Sequence, residues 1–444
     1  MEQMIRMSRQ PLLHLPDQEG PPRQVMQHLV LPGAARGSGP VQSRSSPADT
    51  LFVGTGRRAY VVGDIDGGFR PRSNPYDIIA TGKPSPDDPL ANKLQGIWAQ
   101  PVKALSGYAF EVERDGDTWT LFDAHSFTQS FVEARFEFQH GDLAATRADF
   151  IPQDRPLLLI TLTLNNEASQ PVNLKLRFQV FFDLEDAWFT SLARTRNLGE
   201  QVSQQGERLI ARAASAPDMW AVAVGAALSG TSVRIFDEPG QHPRGQFEYQ
   251  VTLPAGAQRA WTFGVAVESE NGASGALELL DDGLQQHAVW LEQKQKLYVG
   301  LLVSGPRLCS PDPALDLAFD VARANMQMLE AESSALGRYF YSGLEMFPFW
   351  FSSDTAYSGP GLAAAGLADT LKNAVLVGAR INMEGRIPHE ISPSGRIVDP
   401  GNAEETPQWV MGVRDCYRWT GDRAFLASAY PIALGDEQVA CGSF

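Results

Sequence analysis

Cysteine is scarce in this chain, and the three that occur lie far apart. They are Cys309, Cys416 and Cys441, an odd number with no CxxC spacing among them. A disulfide framework or a cysteine-based zinc cage needs paired or closely spaced cysteines. The sequence therefore favours neither, and a reducing compartment is the simpler setting.

Net positive charge and long apolar runs are also lacking. The chain has 37 basic and 52 acidic residues, a formal charge of -15, which repels phosphates of nucleic acids and anionic membrane surfaces. Residues 219–228, the most apolar internal run, are too few to span a bilayer, and the N-terminus lacks the apolar segment of a signal peptide. We expect a cytoplasmic protein with a neutral hydrophilic ligand and with no nucleic-acid or membrane partner.

Several motifs that carry chemistry are missing. Residues 54–58 (GTGRR) lack the P-loop pattern, His389 is not followed by the second histidine of HExxH, and Ser358 has no GxSxG context. Asp64 and Asp66 resemble the opening of a calcium loop but lack its later ligands, which favours a turn. We expect no metal and no cofactor.

The chain is long enough for two domains, since it has 444 residues of which 43% are apolar. Residues 1–48, rich in Pro, Gln, Ser, Gly and Arg, are predicted to be a flexible leader. From Leu51 to about Gly300 the dominant period is two, which predicts an antiparallel β-sandwich over residues 49–305. A Ser-Pro-Asp-Pro sequence then starts a helical spacing, which predicts an α-helical domain over residues 310–444.

Individual elements follow from the same patterns. Residues 157–165 and 172–182 alternate and are separated by turn residues, so we expect them to form an antiparallel hairpin. Further strands are predicted at FEYQVTL and AWTFGVAV. Helices are predicted after Asp312, after a possible cap at Asp369 and before Gly421. Strands precede helices without βαβ alternation, which disfavours a dinucleotide-binding fold.

Two acidic positions could carry chemistry. Asp354 follows a dense aromatic stretch (FPFWF), and sugars offer C–H faces to aromatic rings and hydroxyls to carboxylates. The alternative is that these aromatics are core and Asp354 caps a helix. Glu404 and Glu405 stand at the start of a predicted helix, where the macrodipole stabilises anions. A general acid there would need its pKa raised, by Trp409 or by the neighbouring carboxylate.

Three segments, taken together, resemble the six-hairpin glycosidases, especially the glycogen-debranching, amylo-α-1,6-glucosidase-like group. They are FWFSSDTAYSGPG at the end of the aromatic stretch, then GRIPHEISPSG, then EETPQWVMGVRDCYRWTGD. The resemblance is strong over residues 345–422 and diffuse elsewhere. It implies a β-sandwich followed by an (α/α)₆ toroid barrel.

The resemblance also implies roles for residues. Asp354 would bind sugar hydroxyls, and Glu405 or Glu404 would be the general acid. The other implied substrate-binding residues are Trp350, His389, Glu390 and Trp409. From the residues alone, His389 and Glu390 form a hydrogen-bonded loop pair more readily than a metal site.

The chain departs from the group in two ways. Ser353 stands where many relatives have Arg, so one charged contact is expected to be absent. Only about four or five helices of average length fit between residue 310 and the end, so we expect an incomplete barrel whose general base lies beyond residue 444.

The implied function is inverting hydrolysis of α-glucosidic bonds in oligosaccharides or polysaccharides by the full-length form. A catalytically incomplete carbohydrate-binding fragment and a phosphorylase on the same fold are the alternatives.

Overall fold

The computed structural model describes residues 51–69, 95–186, 196–215, 219–230, 232–238, 242–344 and 347–441. The predicted leader, residues 1–48, lies outside them. Within the described residues, two large antiparallel sheets come first and helices follow. The predicted order of β structure before α structure is confirmed.

The first sheet has nine strands. They are β1 (Leu51–Thr55), β2 (Tyr60–Asp64), β3 (Gly96–Ala99), β4 (Val102–Arg114), β5 (Asp117–Thr120), β10 (Val172–Asp186), β11 (Arg196–Asn197), β15 (Ser232–Phe236) and β16 (Arg244–Leu253). Their order is β1-β2-β3-β4-β10-β16-β15, with β5 paired to β4 and β11 paired to β10.

The second sheet has eight strands in the order β12-β13-β14-β17-β9-β8-β7-β6. They are β6 (Ser126–Gln129), β7 (Glu133–His140), β8 (Leu143–Phe150), β9 (Leu157–Asn166), β12 (Glu200–Gln205), β13 (Arg208–Ala213), β14 (Ala221–Ala226) and β17 (Gln258–Glu268). The main core lies between the sheets, where Phe178 of β10 packs on Phe110 of β4 and on Phe263 of β17.

The predicted hairpin between residues 157–165 and 172–182 is wrong. Both segments are strands, but β9 pairs with β8 and β17 while β10 pairs with β4 and β16. The turn between them carries the chain from one sheet to the other. Alternating apolar residues show that a strand has a buried face, and a turn of this length serves either a hairpin or a crossing between facing sheets.

The predicted period of two up to Gly300 is wrong beyond Glu268, because residues Gly272–Ser304 form a helix, α1, of 33 residues. Leu280 of α1 is buried with Leu157 and Leu159 on the outer face of the second sheet. Lys294 donates through Nζ to the backbone oxygens of Thr55 and Ile151. Burial lowers the pKa of this lysine to about 7. The helix thus covers the sandwich.

Five helices follow α1: α2 (Pro313–Met328), α3 (Ser352–Ala364), α4 (Ala368–Arg380), α5 (Glu405–Thr420) and α6 (Arg423–Cys441). Short strands lie among them: β18 (Glu330–Ser333), β19 (Gly337–Phe340), β20 (Trp350–Phe351), β21 (Glu390–Ile391) and β22 (Ile397–Asp399). In the part of the chain that is described, no helix combines the length and apolarity needed to cross a bilayer.

Two of the three predicted helix boundaries agree with the observed ones, and the predicted cap at Asp369 is wrong. Asp312 caps α2 by accepting from the N–H of Ala314, and α5 ends at Gly421 in the left-handed conformation. Asp369 lies in the first turn of α4 and is not its N-cap residue, which is Leu367. The toroid arrangement and the division at residues 305–310 stay predictions.

Candidate functional site

The residues predicted to form a site gather where α3 and α5 begin. Strand β20 leads directly into α3, and its Phe351 lies opposite Glu390 of β21. The N–H of Ser352 donates to the carbonyl of His389 at 3.1 Å. These backbone contacts hold the His389–Glu390 segment against the start of α3.

Trp350 and Trp409 are fully buried beneath this end of the helices. The indole N–H of Trp350 donates to the carbonyl of Ala374 at 2.7 Å, and that of Trp409 donates to the carbonyl of Val375 at 2.8 Å. Both rings therefore tie β20 and α5 to α4. In this position they support the site from behind and have no surface to offer a sugar.

Glu405, in the first turn of α5, is 2% exposed. Its Oε2 accepts from the N–H of Asn402 at 2.7 Å, and its Oε1 lies 3.2 Å from Nδ1 of His389. The preceding loop closes on this carboxylate so tightly that a Cβ at Gly401, whose φ is 74°, would lie 2.8 Å from its Cδ. The glycine is thus required for the carboxylate to lie there.

Glu404 has the opposite surroundings. It occupies the N-cap position of α5, is exposed, and makes no side-chain capping bond. The two glutamates that the sequence left equivalent are therefore distinct: Glu405 is fixed inside the loop, and Glu404 extends into solvent.

Glu390 is 3% exposed, and its Oε1 has no hydrogen-bond partner. Burial, with a smaller contribution from the Asp399 carboxylate on β22, raises the pKa of Glu390 to about 7. Transfer of a carboxylate into a site without donors favours the protonated form. A buried carboxyl group with a raised pKa therefore lies beside Asp399 of β22, one residue after His389 in the chain.

Asp354 is exposed in the first turn of α3 and lines a cleft of about 500 Å³. The rest of the lining comes from α2, β19 and α3 and consists of Met326, Leu329, Phe340, Tyr341, Ser342, Ser353, Thr355, Tyr357, Ser358 and Leu362. Neither Glu404 nor Glu405 is among these described lining residues. The structure thus places Asp354 and the Glu404–Glu405 pair in adjacent sites, where the parallel helices α3 and α5 begin.

A hydrogen bond from Ser353 Oγ to Oε1 of Gln408 connects the lining of the Asp354 cleft to α5. Ser353 precedes Asp354, and Gln408 lies three residues after Glu405, so the bond crosses from the first turn of α3 to the first turn of α5. The serine, where the glycosidase group commonly has Arg, therefore makes an interhelical contact instead of offering a charge.

Tyr357 is one of the aromatic residues around Asp354 that the sequence offered as sugar-facing rings, whereas Gln408 was assigned no role. Tyr357 is 70% exposed, and its hydroxyl accepts from Nε2 of Gln408 at 3.3 Å. Gln408 belongs to the ETPQW segment, and this was the sign in the sequence that it could lie in the site. The spacing of residues within the segment could not show which of them contacts α3.

Among the described residues, one group of metal-binding residue types occurs elsewhere, at the end of β10. His242 has Nδ1 3.3 Å from Glu200 and Nε2 3.7 Å from Asp183, while Nζ of Lys103 lies 2.8 Å from Asp183. Hydrogen bonding to Glu200 raises the pKa of His242. Because both ring nitrogens face carboxylates and a lysine offsets one of these charges, the group has the geometry of an ion-pair cluster.

No known protein family and no curated protein matches the sequence. Solved structures do match the fold. A putative kojibiose phosphorylase from the human microbiome superposes over 86% of this chain and 55% of its own, with a TM-score of 0.56 and 8% identity. A bacterial glucoamylase complexed with acarbose superposes over 86% of this chain and 56% of its own, with a TM-score of 0.55 and 11% identity.

Over the superposed residues, the chain shares its fold with these two structures. The chain spans a little over half the length of each, and the identities are low, so the likeness concerns the fold alone.

Proposed function

We propose that this chain acts on α-glucosidic bonds, with Glu405 as the proton donor to the glycosidic oxygen. The observation that carries the proposal is the carboxylate itself: Glu405 is buried at the start of α5 beside His389, next to the Asp354 cleft, in a chain with the fold of a glucoamylase and a kojibiose phosphorylase. Each of the three segments that resemble the glycosidase group contributes a residue there: Asp354, His389 and Glu405.

The surroundings of Glu405 hold its carboxyl group in one position. It is buried, accepts from the N–H of Asn402 and lies beside the partly exposed imidazole of His389. A proton donor must be positioned within hydrogen-bond reach of the atom that accepts the proton. Glu404, which is exposed, is the rival proton donor.

Asp354 has the exposure needed to accept hydrogen bonds from sugar hydroxyls. Cleavage with inversion also needs a second carboxylate that activates water on the opposite face of the sugar. We propose that this group acts from outside the described residues. In phosphorolysis, inorganic phosphate would attack in place of the activated water. Glycogen-type α-1,6 branches are the substrate we propose first, on the resemblance of EETPQW to the debranching group.

The test incubates the protein with a branched α-glucan, a linear malto-oligosaccharide and an isomalto-oligosaccharide, with and without phosphate. Free glucose indicates hydrolysis, and glucose phosphate indicates phosphorolysis. Glu405→Gln should reduce the rate by about 100-fold or more, and Glu404→Gln by less than about threefold.

If Glu404→Gln reduced the rate more than Glu405→Gln did, Glu404 would be the proton donor. If the protein bound these glucans in calorimetry but released no sugar with either water or phosphate, it would be a carbohydrate-binding protein, and the catalytic proposal would be wrong.

A further inference from the structure

Tyr357 is the most exposed large side chain with apolar character among the described residues, at 70%. It projects from α3 one turn beyond Asp354, on the same side of the helix. An exposed aromatic ring is common on protein surfaces when it is isolated. This ring is not isolated, because hydrogen bonds fix it and hollows flank it.

Gln408 fixes the phenol. Its amide uses both ends, because Nε2 donates to the hydroxyl of Tyr357 while Oε1 accepts from Ser353. Rotation of the amide would break one bond or the other, so the glutamine holds the tyrosine in one orientation. A side chain fixed before a ligand arrives loses less conformational entropy on binding.

The ring forms a wall between two hollows. On one side lies the Asp354 cleft, and on the other lies a shallow hollow between α3 and α5. This second hollow is lined by Ala356, Tyr357, Pro360, Gln408, Met411 and Asp415. Tyr357 is the one residue that the two linings share. A ligand that leaves the cleft along this side must pass over its ring.

The second hollow combines the two kinds of contact that a pyranose ring makes. The faces of Tyr357, Pro360 and Met411 are apolar, and the side chains of Gln408 and Asp415 offer hydrogen-bonding groups at the edge. A shallow hollow of this kind suits one unit of a chain that runs along the surface. It does not enclose a small ligand as a deep apolar pocket does.

We propose that Tyr357 is the stacking platform between two glycosyl subsites, and that the hollow at Gln408, Met411 and Asp415 binds the next sugar unit of an α-glucan held in the Asp354 cleft. The proposal rests on the proposed function, because it takes its ligand class from it. It adds a subsite and makes Tyr357 a residue that selects for substrate length.

The experiment measures binding of glucose and of maltohexaose by titration calorimetry to the unchanged protein and to three variants. Tyr357→Ala removes the platform, Tyr357→Phe keeps the ring, and Tyr430→Ala removes a comparably exposed tyrosine from α6, outside both hollows. Thermal unfolding checks each fold, and the exposure of both tyrosines predicts unchanged midpoints.

We expect Tyr357→Ala to weaken maltohexaose binding about tenfold while glucose binding, which needs only one subsite, changes less than about threefold. Tyr357→Phe should retain most of the affinity for maltohexaose, and Tyr430→Ala all of it. Equal effects of Tyr357→Ala and Tyr430→Ala, with binding of the unchanged protein intact, would overturn this inference alone. If the unchanged protein bound neither sugar, the ligand class of the proposed function would fail as well.

Discussion

At the scale of single residues, burial separates side chains that the sequence left equivalent. Glu404 and Glu405 are neighbours in one motif, yet the loop before α5 turns through Gly401 and encloses only Glu405. The sequence predicted that both would stand at a helix start, and this is confirmed. It could not predict that Glu405 meets His389, because this contact joins the start of α5 to the residue just before β21. The position of that residue depends in turn on the pairing of β21 with β20.

The buried Glu390 carboxyl predicts a pH dependence of stability. Its pKa of about 7 lies above the ordinary value of about 4.3 for glutamate in an unfolded chain. The folded protein thus holds this proton more tightly than the unfolded chain does. The stabilisation is complete below about pH 4.3 and is lost as the pH rises through about 7. Glu390→Gln imitates the protonated form and should remove this loss.

Urea unfolding at pH 5 and pH 8 measures the effect. We expect the free energy of unfolding of Glu390→Gln, relative to the unchanged protein, to be higher at pH 8 than at pH 5. Glu404→Gln is the control, since it makes the same chemical change at an exposed position. A Glu390→Gln difference that is the same at both pH values would show that this carboxyl is ionised throughout.

At the scale of elements, the strands and short helices were predictable from local pattern, whereas pairing partners were not. Residues 157–160 (LLLI) are all buried, because one face of β9 lies between the sheets and the other lies under α1. This apolar run was the local sign that something covers the outer face. The partner, α1, was missed although its 33 residues contain no proline and many helix formers. Its buried positions include small residues, which give a weak periodic signal.

Two glycines of α1 provide a matched test of how closely this helix approaches the sheet. A Cβ at Gly283 would lie 2.2 Å from Cδ2 of Leu157, which is itself fully buried, whereas a Cβ at Gly300 would meet no atom within 4 Å. Gly→Ala in a helix stabilises by up to about 1 kcal/mol when space is available. Gly300→Ala should therefore stabilise the protein, while Gly283→Ala should destabilise it by about 1–3 kcal/mol.

Denaturant midpoints of the two variants give the comparison directly. Because both changes carry the same propensity gain, the difference between them reports the packing of α1 on β9. Stabilisation by both would mean that α1 lies further from the sheet than the structure places it.

At the scale of the whole molecule, one apolar cluster crosses from the sandwich into the helices. Tyr60 and Trp98 of the first sheet stack with ring centroids 6.0 Å apart, and Tyr60 meets Tyr341, which lines the Asp354 cleft, at 5.7 Å. Beside this cluster, Nε of Arg57 lies 3.5 Å from the buried carboxylate of Glu330. The sandwich thus packs against Tyr341, a residue that lines the candidate site. The sequence predicted both layers, but contacts between residues nearly 300 positions apart have no local signature.

Because the cluster is continuous, the sandwich and the helices should unfold in one calorimetric transition, and Trp98→Ala should separate it into two. This substitution removes a ring that is 1% exposed and costs about 3–5 kcal/mol, concentrated where the layers meet. Trp261→Ala is the control, since its ring is equally buried but belongs to the core between the sheets. It should lower a single transition without dividing it. If both variants instead shifted one undivided transition by the same amount, the cluster around Tyr60 and Trp98 would not be what couples the sandwich to the helices that carry Asp354 and Glu405.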